Sequence, residues 1–337
     1  MDEVLVSIIC ITYNHERYIA QALDGMLMQD VSFKYEILIN DDASTDRTAD
    51  VIKEYEKQYP GIIKAFYQDE NLYSKGVKVL DYLLRFANGK YIAICEGDDF
   101  WIDRNKLQTQ IDFMEKHLDC ALTVHSGFYA YENGVIEKKP FRLDTKNRYV
   151  SVEEIISHWI APTASIVYRK SARGTSDIPF LGNLKIGDYP LLVYLSLNGS
   201  VYFFSREMCA YRRGSVSSVS KEYQSGEKKV NHNQEIIELL NRIDTYSGKK
   251  YSSVIIKAQE ERRFQNYILK GQIDVLKKTE IYRDLSPINK AKLFLKITCP
   301  FYNCICKLNN AIKLRIRYYI DLQRTRLMKM DNIVILK

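Results

Sequence analysis

The chain has 337 residues, 46% of them hydrophobic and 27% charged, with a formal net charge of +7, enough to bury a large core in one or two domains. No apolar run reaches the roughly 20 residues of a membrane-spanning helix, and the acidic start MDEVLV does not read as a signal peptide. Seven cysteines, an odd number without a zinc spacing and partly set in apolar runs, point to a reduced, cytoplasmic compartment.

Residues 4–13 are a largely apolar strand that runs into Asn14, His15 and Glu16, after which Tyr18, Ile19, Ala22, Leu23, Met26 and Leu27 recur at helical spacing. The turn between them carries neither GxGxxG nor a glycine-rich loop ending in Lys-Ser or Lys-Thr, which excludes dinucleotide-fold and P-loop binding there. Residues 35–40 form a second strand ending in Asp41 and Asp42. Ser44 or Asp46 is suited to cap the next helix, whose apolar face is Val51, Ile52, Tyr55 and Tyr59 and which Pro60-Gly61 stops. A third strand over 62–67 and a third helix over 77–86 follow.

Residues 91–95 are short, apolar and rich in β-branched and aromatic character, as expected of a strand buried on both faces. They end in Glu96, Gly97, Asp98 and Asp99. Carboxylates crowded at a buried strand end repel one another and lose hydration, which suits a divalent cation or ligand hydrogen bonds; a solvated acidic turn before the helix starting near Asp103 is the plainer alternative. That helix should bury Leu107, Ile111, Met114 and Leu118. Four alternations of strand and helix predict an α/β fold with a largely parallel, doubly wound sheet, which binds ligands at the carboxyl ends of its strands.

From residue 121 the rhythm changes. Strands are expected over 121–126, 163–168, 200–204 and 208–212, a hairpin turn at Asn133-Gly134, and a helix over 191–197 behind Asp188. Residues 213–226 read as a Ser/Gly loop, and 236–243 and 254–269 as helices without strands between them. A boundary near 220 separates a catalytic domain, 1–220, from a helical, basic C-terminal region, 221–337.

The pieces SIICITYNHERYIAQAL, EILINDDASTDRT, YIAICEGDDFW, KLQTQIDFME, GDYPLLVYLSLNG and YRRGSVSS, in that order, resemble the family 2 glycosyltransferases of GT-A fold, particularly bacterial enzymes of capsular and surface polysaccharide synthesis. The resemblance spans about residues 4–218. It implies a metal-dependent, inverting transfer of a sugar from a nucleoside diphosphate, UDP for preference, to a hydroxyl of a glycan or lipid-linked acceptor. Thr12, Tyr13, Asn14, Glu16, Asp41 and Asp42 would hold base and ribose, with Asp98 facing the ribose. Asp99 would bind Mn²⁺ or Mg²⁺ in a DxD-type motif, with Glu96 standing where many members have Asp. Asp188 would be the general base, or a helix cap. Glu96, Arg212 and Arg213 would contact diphosphate or acceptor, the two arginines otherwise lying solvated at a strand end. Loops 161–165 and 181–189 would decide the acceptor. A nucleotidyltransferase lacks its glycine-rich triphosphate loop here, and a non-catalytic sugar-nucleotide-binding protein would not need Asp98, Asp99 and Asp188 together.

Residues 281–337 hold twelve Lys and Arg against three Asp and Glu, a surplus of nine, so the preceding part is near neutral at −2. Ile297, Phe301, Ile305, Leu308, Ile312, Ile316 and Ile320 line one side of a helix that Pro300 would kink. Such a basic, apolar-faced segment over 290–320 suits an anionic membrane surface, making the protein peripheral to the inner face of the membrane. The alternative is packing on the catalytic domain or on a second subunit, as in a homo-oligomer. Nothing in the tail resembles a nucleic-acid-binding fold.

Overall fold

The computed structural model describes residues 3–131, 136–140, 145–174, 177–184, 186–214 and 226–298, with only the backbone described over 136–140. Among the described residues, ten strands form one sheet: β1 (Val4–Thr12), β2 (Lys34–Asp41), β3 (Ile63–Tyr67), β4 (Tyr91–Ile94), β5 (Phe100–Trp101), β6 (Cys120–Tyr131), β7 (Ile136–Pro140), β8 (Arg148–Val150), β9 (Val167–Arg169) and β10 (Ser200–Arg213). Their order is β3-β2-β1-β4-β9-β6-β10-β5, with β7 on β6 and β8 on β10. Pairing is parallel through β3-β2-β1-β4 and again between β6 and β10, whereas β5, β7, β8 and β9 run antiparallel to their neighbours.

Helices α1 (Ile19–Leu27), α2 (Thr48–Gln58) and α4 (Lys106–Lys116) cover one face of this sheet, and α3 (Val79–Leu84), α5 (Val152–Ser157), α7 (Asp188–Leu197) and α8 (Gly226–Tyr246) the other; α6 (Lys170–Arg173) follows β9. The period-2 alternation of the strands makes this possible. Ile8, Cys10, Ile37, Ile39 and Ala93 pack with Leu23, Met26, Ile52, Leu107 and Met114. Their neighbours Ile9, Leu38, Ile92 and Ile94 pack with Leu83, Ile155, Leu191 and Leu239. Buried on both sides, these strands carry the continuous apolar runs seen in the sequence. Strand order reverses at β1, which lies between β2 and β4, so the carboxyl ends of these three strands open on a crevice.

Several elements depart from expectation. Helix α4 ends at Lys116, so Leu118 escapes the buried stripe and is 74% exposed. It also starts at Lys106, because the Asp103 side chain takes the Asn105 amide at 2.9 Å in a turn ahead of it. The two strands expected over 200–212 are one strand, β10, whose register on β6 shifts between Phe204 and Glu207: an irregularity interrupts the pattern without ending the pairing. Thr163–Ser165 is a 3₁₀ turn rather than strand. The expected turn at Asn133-Gly134 lies outside the described residues, though β6 and β7 on either side pair antiparallel.

The chain divides into two compact units, Met1–Glu260 and Glu261–Lys337. The division falls well beyond residue 220 because Ile236, Leu239, Leu240 and Ile243 of α8, with Ile255 of the following helix α9 (Ser252–Leu269), belong to the same core as Leu191 and Phe203. In the second unit α10 (Ile273–Leu276), α11 (Glu280–Asp284) and α12 (Pro287–Thr298) are described. The Thr279 hydroxyl accepts the Tyr282 amide at 3.2 Å and caps α11. No residue of α12 is buried, and Ile288, Phe294 and Leu295 are exposed beside Lys290, Lys292 and Lys296. The apolar stripe from Phe301 onward, Pro300, and Cys299, Cys304 and Cys306 lie outside the described residues.

Candidate active site

At the crevice, the carboxyl ends of β1 and β2 are laced together by side chains. The Asn14 amide donates to Ser44 Oγ at 2.9 Å, Asn14 Oδ1 accepts the Thr45 amide at 2.8 Å, and Glu16 Oε2 accepts the Arg47 amide at 3.0 Å. Asp46 takes the Glu16 and Thr48 amides and Ser44 Oγ donates to Asp41 Oδ1; the N-cap position of α2 is Arg47, without a side-chain cap, so Asp46 ties the turn ahead of the helix and Ser44 serves Asp41. Asn14 and Ala43 are held at φ 55° and 60°, a left-handed conformation that costs a non-glycine residue energy and that this bonding sustains. Asp42 accepts the Leu72 and Tyr73 amides at 2.8 and 3.1 Å, which fastens the loop after β3. Asn14, Glu16 and Asp42 thus shape the rim. Thr12 and Asp41 are buried at the bottom, and Tyr13 is 38% exposed.

The loop after β4 completes the floor. The Gly97 amide bonds to Ile11 O at 3.0 Å, and a Cβ at Gly97 would stand 2.7 Å from Thr12 Oγ1 and 2.9 Å from His15 Nδ1; only glycine lets this loop approach β1 so closely. Thr12 Oγ1, His15 Nδ1 and Asp99 Oδ2 are buried and find no hydrogen-bond partner among the described residues. Buried polar groups are usually paired, so three such atoms around one strand end mark a place prepared for a ligand.

The acids here are electrostatically crowded. Burial, then Asp98 and Asp188, push the Glu96 carboxyl up to about 8. Burial, then Asp98 and Glu96, push Asp99 well above the usual carboxylate range, against the pull of Arg212. His15 Nε2 stands 3.9 Å from Asp98 Oδ2, its pKa lowered by burial against the attraction of Asp98. Asp99 Oδ1 accepts the Arg212 amide at 2.7 Å, while the Arg212 guanidinium donates to Asp98 O at 2.8 Å and Gln21 Oε1 at 2.7 Å and lies over the Tyr18 ring. Arg212 therefore locks the acidic loop between β10 and α1. Alternation along β10 sends Arg213 to the other face, 3.7 Å from the Tyr129 ring centroid.

Asp188 opens α7 and is partly buried. Its Oδ2 accepts Trp159 Nε1 at 2.9 Å and Thr163 Oγ1 at 3.0 Å. Burial raises its pKa while these donors, with its own amide and that of Tyr189, oppose the rise. The carboxylate thus both meets the helix amides and is oriented by side chains. The charge of Asp188 adds to the upward push on Glu96 although the two stand 92 positions apart in the chain.

Sequence reasoning missed His15, Trp159 and Thr163 as parts of this site. The segment 161–165 was flagged for the acceptor side, but no spacing ties Trp159 to Asp188. It also missed Lys106, fully buried over the Trp101 ring, bonded to Gln110 Oε1 at 2.8 Å, its pKa lowered by burial to about 7.

As to a divalent cation, the residues present fit one: the donors are all carboxylate oxygens, suited to a hard ion, and Asp99 Oδ2 is buried and unpaired. Among the described residues no group of three or more His, Cys, Asp or Glu side chains is placed to hold a metal ion.

A family model described as "Glycosyl transferase family 2" matches residues 7–219. The protein Rv1520 of Mycobacterium tuberculosis is 34% identical over 209 residues, 62% of this chain and 58% of that one. The "UDP-Glc:alpha-D-GlcNAc-diphosphoundecaprenol beta-1,3-glucosyltransferase WfgD" of Escherichia coli is 35% identical over 118 residues, 35% of this chain and 44% of its own. The chain spans less than two thirds of the length of these relatives. Among solved structures, S. aureus TarS 1–349 in complex with UDP superimposes with a TM-score of 0.56 at 17% identity, covering 89% of this chain and 83% of that one, a likeness of fold.

Proposed function

The chain belongs to glycosyl transferase family 2, and on that premise we propose that it transfers a sugar, with inversion, from a UDP-sugar to a hydroxyl of a glycan or lipid-linked acceptor in surface polysaccharide synthesis. The observation that carries this reading is that Trp101, two residues beyond Asp99, donates its indole N–H to Ala164 O at 2.8 Å while the adjacent Thr163 donates to Asp188 Oδ2 at 3.0 Å, so one short turn ties the acidic loop suited to a diphosphate to the candidate base.

The base and ribose bind against Tyr13, Thr12 and Asp41, where Asp41 accepts the imide proton of uracil and Asp98 faces the ribose. Asn14, Glu16 and Asp42 keep the rim in shape. Asp99, with Asp98 beside it, would hold Mn²⁺ or Mg²⁺, which when bound stabilises the charge on the departing diphosphate. Asp188 takes the proton of the acceptor hydroxyl as its oxygen attacks the anomeric carbon. The bond to the diphosphate breaks on the opposite face, the nucleoside diphosphate leaves, and the configuration inverts. The name of WfgD, which gives a UDP-linked donor and a lipid-linked acceptor, supports both substrate classes.

An acceptor on a lipid carrier implies work at a membrane. Among the described residues no helix is long and apolar enough to cross one, and α12, with Ile288, Phe294 and Leu295 exposed among lysines, supports peripheral binding to anionic lipid on the cytoplasmic side.

Thermal-shift measurement with UDP and Mn²⁺ tests the reading: a ligand at 100 times its Kd adds about 2.7 kcal/mol. The wild type should be stabilised by UDP, and further when Mn²⁺ is added. Asp99→Asn, whose carbonyl still accepts the Arg212 amide, should lose the Mn²⁺-dependent increment alone. A wild type indifferent to UDP would overturn the proposal.

A further inference from the structure

The acceptor must dock where Asp188 can reach its hydroxyl, and the neighbourhood of that carboxylate is aromatic. Trp159 is 42% exposed and stands at Asp188 by its 2.9 Å indole N–H bond. Its ring meets Tyr211 edge to face, with centroids 5.8 Å apart and planes at 83°. Tyr211 of β10 is in turn paired in register with Tyr129 of β6, and their rings meet at 6.2 Å and 70°. Arg213 lies over Tyr129. Both tyrosines are partly exposed. Three rings set perpendicular in succession make a stepped surface of walls and floors that begins at the base and runs away from it. None of them is needed for the nucleotide crevice, which lies on the Arg212 side of β10.

The chemistry of this surface selects its occupant. A purely apolar partner would cover the Asp188 carboxylate and the Arg213 guanidinium with carbon and strip these charged groups of water. A pyranose ring has an apolar C–H face to lie on an aromatic ring and a rim of hydroxyls for the polar groups. Tyr and Trp are suited to such mixed contacts because they combine a flat apolar body with a polar tip.

We propose that Trp159 and Tyr211 form the acceptor subsite, a platform on which a pyranose ring of the acceptor stacks beside Asp188, with Tyr129, faced by Arg213, closing its far end. This rests on the reading of Asp188 as the base. The rings act by binding, and Trp159 is in addition held in place by the carboxylate it adjoins.

Saturation-transfer NMR with cellotriose, maltotriose and chitotriose as probes tests the platform directly, each titrated against wild type, Trp159→Ala, Trp159→Phe and Tyr211→Ala. Trp159 is one of only two tryptophans, and the other, Trp101, is buried, so saccharide protection of wild-type fluorescence from acrylamide reports on this ring as well. At least one trisaccharide should bind the wild type and protect Trp159. Losing one stacking ring should weaken that binding about fivefold in Trp159→Ala and in Tyr211→Ala, while Trp159→Phe stays within about twofold. The UDP thermal shift should be the same in all four proteins, which also establishes that the variants are folded. The inference is overturned if none of the three saccharides binds the wild type, or if both alanine variants bind as it does. A wild type that binds saccharide on these rings yet ignores UDP would refute the donor reading and leave the platform standing.

Discussion

At the scale of single residues, Asp188 is the one whose environment departs most from a plain helix start. A capping carboxylate needs only backbone amides, whereas this one also receives Trp159 and Thr163, side chains that fix the orientation of one of its oxygens. Asp188→Asn keeps an oxygen for those donors and removes basicity. Its kcat should fall about 10²-fold or more with the UDP thermal shift unchanged; a variant that lost donor binding and kept turnover per bound donor would move Asp188 into the nucleotide site. The acids at 41, 42, 96, 98 and 99 were legible as acids in the sequence, but their division of labour was not. Asp42 spends its carboxylate on two loop amides, Asp99 half of its own on Arg212, and these partners come from distant segments.

Among the elements, the close contact of the β4 loop with β1 decides the shape of the crevice floor. A methyl group at Gly97 would sit 2.7 Å from Thr12 Oγ1 and 2.8 Å from Thr12 Cβ, inside van der Waals distance of a buried side chain that cannot step aside. Gly97→Ala should therefore cost about 1–3 kcal/mol of stability, as overpacking generally does, and also weaken UDP binding because Thr12 lies on the floor. Chemical denaturation checks the first effect and thermal shift the second; an unchanged midpoint would mean that the loop relaxes freely. The strand and helix periods were plain in the sequence because the central strands β1, β2 and β4 are buried on both faces. The second half was less plain, because β10 carries its irregularity inside one continuous pairing and α4 stops two residues before its apolar pattern does.

For the whole molecule, the first unit extends to Glu260 since α8 supplies Ile236, Leu239, Leu240 and Ile243 to the main core. A protein ending at 260 should unfold cooperatively, whereas one ending at 220 should not, because it bares the surface those side chains cover and each buried Leu or Ile is worth about 2–5 kcal/mol on truncation. Near-ultraviolet circular dichroism and urea unfolding would compare the two, and a cooperative 1–220 protein would show α8 to be dispensable. The residues beyond 260 are expected to carry membrane affinity. Flotation with anionic vesicles should lift the full chain at low salt and not at high salt, each basic residue near the lipid contributing about 1 kcal/mol, while the 1–260 protein stays unbound. A full chain that fails to float at low salt would end the membrane reading.

Whatever depends on neighbours along the chain could be read from the residues alone. Periods of 2 and 3.6 set the elements of the α/β half, and the run from Glu96 to Asp99 at a buried strand end announced a polar site, because burial and like charge are both readable locally. Only the tertiary structure decided which groups share that site. The sheet order brings β1 between β2 and β4, the Arg212 amide reaches back to Asp99 across 113 positions, and Trp159 finds Asp188 across 29. Contacts of that kind are set by how strands pair and layers pack, and their energies come from burial and hydrogen bonds between segments whose spacing along the chain carries no trace of their meeting.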